Sequence, residues 1–209
     1  MTQMNVTNVF KAAGEDVRLV IAHSTADKLG QETVDALKKK LAPGVVVVAE
    51  RRIGTLAELL DLVQSAGRFN VLLVVAHGNK GLNAARLFAD LDSDGKPVRL
   101  KAAELALFEG LLDDKLCLFG VCYYGSEDLA SAVVDRAMAL ACIAPKTTDT
   151  ITNLDIINGF SSLLNELQAR KVNDIGTGEL GPLLIPKLDK KFGKSPKTLK
   201  EKLKVYFGA

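Results

Sequence analysis

VLLVVAHG, residues 71–78, is the stretch that decides the fold. Six apolar residues in a row show no alternation, so both faces of the segment are expected to be buried, as in a central strand of a parallel sheet. The run stops at His77-Gly78, which sets a titratable ring at the carboxyl end of an otherwise dry strand.

Outward from there, apolar strands alternate with amphipathic helices. VRLVIAHS from Val17 reads as a first strand, and TADKLGQETVDALKKKLA as a helix that Pro43-Gly44 stops. VVVVAE from Val45 is a second strand. TLAELLDLVQSAG is a helix with Thr55 as N-cap, Glu58 three residues on and Gly67 at its end. After the His-Gly, LDSDGKPVRL suggests a hairpin around Asp94-Gly95, AAELALFEGLL a short helix and KLCLFGVCYYG a fourth strand. SEDLASAVVDRAMALA is a further helix, ACIAPKTT a weak strand and IINGFSSLLNELQARK a last helix. The pattern predicts an α/β protein, a three-layer α/β/α sandwich around a mainly parallel sheet. Residues 1–182 are expected to form this domain, with 183–209 a basic C-terminal segment packed on it.

Bulk composition narrows the function classes. The chain has 209 residues, 48% hydrophobic and 25% charged, ordinary for a soluble globular protein with a real core. From Leu183 onward eight lysines face only Asp189 and Glu201, so this tail carries +6 and the rest −4, giving the net +2. Such a lysine-studded face is read as solvated, not as a nucleic-acid or membrane surface. Three cysteines, Cys117, Cys122 and Cys142, are odd in number and do not form a disulfide framework. MTQMNVTNVFKAAGEDVR lacks the basic start and apolar stretch of a signal peptide, and no apolar run approaches the roughly 20 residues of a membrane span. A reduced, cytoplasmic protein is expected, with no membrane partner and no cofactor.

In a parallel sheet the chemistry gathers beyond the carboxyl ends of the strands. Cys122 ends the fourth strand as His77 ends the third. If those strands are neighbours, imidazole and thiol face each other across one strand spacing, where the imidazole can take the thiol proton and create a nucleophile. The backbone N–H groups of Gly78 and Cys122 would then hold the oxyanion of an acyl-transfer intermediate. Gly120 and Gly125 are expected to keep the surroundings of Cys122 open. Counting removes several other cysteine chemistries. A phosphatase loop needs Arg six residues after the Cys, and Asp128 stands there. A G-x-C-x-G elbow has its His later in the chain, as does the papain order, but no histidine follows His77.

His-Gly after one apolar strand and Cys after the next resembles the caspase-like cysteine peptidases, the clan of caspases, metacaspases, gingipains, separase and CHAT domains. VLLVVAHG and LCLFGVCYYG both conform, and the resemblance covers roughly residues 17 to 172. The CHAT branch looks closest, because there too a short hairpin and a helix separate the His-Gly from the Cys strand. The resemblance implies a caspase-haemoglobinase-like fold and a cysteine endopeptidase acting on peptide or protein substrates. It implies Cys122 as nucleophile and His77 as base. Two tyrosines after Cys122, of which Tyr123 is a substrate-binding candidate, depart from the commoner small or charged residues and would narrow the pocket. A catalytically inactive binding or scaffold protein on the same sheet is therefore the alternative. A flavodoxin-like receiver or nucleotide-binding domain is the second alternative, against which HSTADKLG offers no Gly-rich phosphate loop.

Substrate-binding candidates are less defined. In relatives that cut after Arg or Lys, a carboxylate at the strand ends binds the basic side chain, which makes Asp27, Asp149 and Asp155 candidates of equal standing. His23, with Ser24 and Asp27, either lines the cleft or belongs to the turn and cap before the first helix. DLDSDG, residues 90–95, imitates the start of a calcium loop, but position twelve would be Lys101 in place of a bidentate Glu, so a hairpin turn and no metal are expected. Cys117 and Cys142 fall inside strands and read as core.

Overall fold

The computed structural model describes residues 16–24, 28–78, 84–86, 100–122, 127–146, 149–169 and 197–207. In chain order they form β1 (Arg18–Ser24), α1 (Lys28–Lys38), β2 (Val46–Ile53), α2 (Leu56–Ser65) and β3 (Val71–Gly78). Two short strands follow, β4 (Ala84–Arg86) and β5 (Leu100–Lys101), then a 3₁₀ helix (Ala102–Phe108), β6 (Leu116–Val121), α3 (Glu127–Asp135) and β7 (Ala141–Pro145). A helix next begins as α4 (Asn153–Asp155), widens to a π-turn over Ile156–Phe160 and continues as α5 (Ser161–Ala169). The last elements are α6 (Leu199–Lys202) and β8 (Leu203–Phe207).

The main sheet has the order β2-β1-β3-β6-β7-β8. All neighbours are parallel except β8, which runs antiparallel to β7. The uniformly apolar segments occupy its centre: every residue of β6 is buried, and so are Val71 to Val75 of β3. Alternate residues feed two separate cores. On one face Leu19, Ile21, Leu73 and Leu118 meet Val34 and Leu37 of α1 and Leu163, Leu164 and Leu167 of α5. On the other, Val20, Leu72, Val74 and Phe119 meet Leu59 and Leu62 of α2, Phe108 of the 3₁₀ helix and Val133 of α3. Each large aliphatic side chain so buried contributes about 1.5–3 kcal/mol. The expected three-layer α/β/α sandwich is the observed architecture. The outer strand β2 is half-exposed and carries Glu50, Arg51 and Arg52, charges that blunt an open edge.

Local signals explain the element ends. Thr55 Oγ1 accepts from the Glu58 N–H at 3.1 Å, and Glu58 Oε2 accepts from the Thr55 N–H at 3.0 Å, the reciprocal cap expected at α2. Gly67, at φ +68°, takes the left-handed position that ends the same helix.

Three differences from the sequence expectations have physical causes. AAELALF is a 3₁₀ helix: its buried Leu105 and Phe108 are three residues apart, a spacing that 3₁₀ geometry stacks on one side. The helix expected from Ile156 starts earlier, because Thr152 and Asp155 form a second reciprocal cap. Residues 197–207 of the basic tail supply a capped helix turn and the antiparallel edge strand β8. Their lysines are partly spent on ion pairs, Lys197 with Asp149 and Lys202 with Asp155. The hairpin turn at Asp94-Gly95 lies outside the described residues, though β4 and β5 pair antiparallel on either side of it. Among the described residues no helix is long and apolar enough to cross a membrane.

Candidate active site

The sheet order reverses between β1 and β3: the chain leaves β1 for β2 on one side and returns to β3 on the other. Helices depart in opposite directions there, and a crevice opens at the carboxyl ends of the strands. A cavity of ≈ 240 Å³ occupies that place. Ser24 lines it from the end of β1, Val75 and Ala76 from β3, and Gly120 and Cys122 from β6 and the residue after it. Gly30 and Thr33 of α1 form one wall, and Ile151, Asn153 and Ile156 form the other.

Cys122 stands one residue past β6, where the parallel pairing has just ended. The last matched pair of β3 and β6 is Ala76 with Val121, so His77 and Cys122 are the next positions on the two strands. Adjacent strands lie roughly 4.8 Å apart. The backbone therefore brings these two positions side by side. Beyond Ala76, β3 changes partners: His77 pairs with Arg86 and Gly78 with Ala85 of β4, which fixes the backbone of the His-Gly pair.

The Cys122 side chain is half-buried, and its Sγ donates to the Ile151 carbonyl oxygen at 3.4 Å. This contact seats the thiol against the wall contributed by the segment before α4. Gly120, two residues earlier, borders the cavity and also makes room for a neighbour. A Cβ there would meet Ile156 Cδ1 at 2.9 Å and Cγ1 at 3.1 Å, so the missing side chain admits Ile156. Cys117 and Cys142 are fully buried as expected. Burial pushes the Cys117 thiol up to about 12 and raises Cys142 well above the ordinary range, so neither is a ready nucleophile.

The remaining candidates separate. His23 is 1% exposed and sits behind Gly30, with its Cβ 3.7 Å from where a Gly30 Cβ would be. Among the described residues its Nδ1 has no hydrogen-bond partner, and its Nε2 is 3.9 Å from Glu50 Oε1. Burial holds this imidazole below its ordinary pKa, outweighing the attraction of Glu50. It is packed into the wall, and its neighbour Ser24 lines the cavity. Asp149 is buried and paired with Lys197. Asp155 is fully buried, and its Oδ2 accepts from the Thr152 N–H at 2.8 Å and from Lys202 Nζ at 2.5 Å. Neither carboxylate is among the described residues lining the cavity, and each serves an ion pair. Asp27, Tyr123, Gly125 and the 90–95 segment lie outside the described residues. No cluster of three or more metal-ligating side chains occurs among the described residues.

Nothing in the sequence marks Gly30, Thr33, Ile151, Asn153 and Ile156 as site residues. None carries distinctive chemistry, and their place in the site follows only from how the two helices dock on one face of the sheet.

No protein-family profile matches this chain, and no curated protein matches it. Among solved structures it is similar to the crystal structure of gingipain R, described as an Arg-specific cysteine proteinase, with a TM-score of 0.54 and 11% sequence identity. The match covers 98% of this chain and 51% of that one, so this chain spans about half the length of the structure it resembles. Together with the sheet order and its antiparallel last strand, this likeness shows that the chain has the caspase-haemoglobinase-type α/β fold.

Proposed function

We propose that this protein is a cysteine endopeptidase in which His77 and Cys122 form the catalytic dyad. The observation that carries the reading is the register of β3 and β6, which makes these two residues neighbours at the mouth of a cavity that Cys122 itself lines.

In this reading the imidazole of His77 accepts the Cys122 thiol proton. The thiolate attacks the scissile carbonyl carbon, a C–S bond forms, and the C=O π electrons move onto oxygen. The N–H groups of Gly78 and Cys122 stabilise that oxyanion. As the carbonyl re-forms, the C–N bond breaks and the leaving amine takes the proton from imidazolium. Water then gives a proton to His77 and attacks the thioester, and the C–S bond breaks to release the acid and restore the thiol.

Peptide or protein substrates follow from this chemistry; the Arg specificity of gingipain R is not part of the proposal. The succession of a short antiparallel β4–β5 pair, a 3₁₀ helix and the Cys-bearing strand supports a place near the CHAT branch. Three unpaired thiols support a reducing, cytoplasmic setting. A peptidyl acyloxymethyl ketone tests the reading: one adduct at Cys122, formed far faster than with a free thiol and lost in His77→Ala, is expected. Labelling at the free-thiol rate, unaffected by His77→Ala, would leave only the binding or scaffold alternative.

A further inference from the structure

We infer that the cavity beside Cys122 is a side-chain subsite selective for an uncharged, mainly apolar residue next to the bond being cut; this rests on the peptidase reading above. The cavity shares its lining with the nucleophile. Gly120 of β6 and Cys122, one residue past its end, are two positions apart, and both border it. A substrate carbonyl held at Cys122 therefore has this recess beside it.

Size comes first. At ≈ 240 Å³ the space holds about eight water volumes, and it falls short of the roughly 300–1,000 Å³ of small-molecule pockets. One side chain fits that volume. Chemistry comes next. Val75, Ala76, Ile151 and Ile156 give apolar walls, while Ser24, Thr33 and Asn153 give neutral polar groups. None of the described lining residues is charged. An ionic side chain entering here would lose hydration with no counter-charge from the described lining residues in return.

Two of the three carboxylates that would have favoured Arg or Lys, Asp149 and Asp155, are engaged elsewhere. Asp149 is held by Lys197, and Asp155 by Lys202 and the Thr152 cap. The C-terminal segment thus neutralises two acids that stand close in sequence to the cavity wall, and the described lining residues carry no charge.

The test uses the full chain and a set of peptides differing only in the residue before the scissile bond: Leu, Met, Phe, Arg, Lys and Asp. Each is made as a fluorogenic amide and as an acyloxymethyl ketone whose labelling of Cys122 is followed by intact mass. Leu and Met should exceed Arg, Lys and Asp by about 100-fold in both kcat/KM and labelling rate. Asn153 is exposed at the cavity, and Asn153→Asp keeps its shape while adding a charge; it should raise Arg and Lys relative to Leu by about tenfold or more. Cleavage that favours Arg, Lys or Asp in the unaltered protein would overturn the inference and leave the peptidase reading standing. If no peptide is cut and no ketone outpaces a free thiol, the peptidase reading fails and the inference falls with it.

Discussion

Lys202 Nζ lies 2.5 Å from Asp155 Oδ2, with the two side chains only 4% and 0% exposed. This ion pair joins the C-terminal helix turn to the start of the helix that walls the cavity. It rests on further bonds, since the same carboxylate oxygen accepts from the Thr152 N–H and from Thr152 Oγ1 at 2.9 Å. Removing one partner of such a pair strands the other as a buried charge. Lys202→Met is expected to lower the free energy of unfolding by about 3–5 kcal/mol, measured by urea titration. Lys202→Arg should lose distinctly less. A loss within ~0.5 kcal/mol of wild type for Lys202→Met would show that the pair does not hold the segment.

His23 predicts a dependence on pH. Its folded-state pKa lies below the unfolded value of about 6.5, so the unfolded chain binds this proton first. Its effect on stability is therefore absent above about pH 6.5, grows as a penalty while pH falls toward the depressed folded pKa, and levels off below it. Comparing urea midpoints of wild type and His23→Leu at pH 7.5 and pH 5 isolates the effect. Wild type should lose more stability than the variant on acidification; equal losses would contradict the burial argument.

Gly120 is the position where the sheet and the cavity wall come closest. Gly120→Ala places a methyl group 2.9 Å from Ile156 Cδ1, and Ile156 is a buried, β-branched side chain with few rotamers to retreat into. A loss of about 1–3 kcal/mol is expected from this overpacking. Adding Ile156→Val should recover part of it, so a double-mutant cycle should show coupling between the two sites. Additive effects would mean that the two groups do not press on each other.

The three thiols should differ sharply. Cys117 and Cys142 are buried and held as thiols, whereas Cys122 is half-exposed at the cavity. Native protein treated with iodoacetamide at pH 8 should gain one adduct, mapped by peptide mass analysis to Cys122. Unfolded protein should gain three. Prompt native modification of Cys117 or Cys142 would contradict the packing described.

Much of this architecture is legible in the chain because burial on both faces leaves a simple trace. VLLVVA and LCLFGV cannot be surface strands, and the helices between them carry their own caps, such as Thr55 with Glu58. The register that sets His77 beside Cys122 follows once the two strands are neighbours and parallel. The C-terminal strand was less visible. LKVYF mixes buried Leu203 and Tyr206 with exposed Lys204 and Phe207, so its pattern matches neither a dry core strand nor a strict alternation. A signal for the helix turn before it was present, however. Thr198 with Glu201, like Thr152 with Asp155, has the three-residue spacing of a reciprocal cap. The fate of the acids was hidden for another reason. That Asp149 and Asp155 would each meet a lysine some 47 or 48 positions away depends on tertiary contacts that no local pattern encodes.

His77 and Cys122 are proposed to act as one catalytic unit at the end of the sheet. The most direct test of that pairing is kcat/KM for a responsive peptide with wild type, Cys122→Ala and His77→Ala, each shown by urea titration to retain the fold. No detectable turnover is expected without the thiol, and a fall of about 10²–10⁴-fold without the imidazole. Full activity in either variant would contradict the pairing.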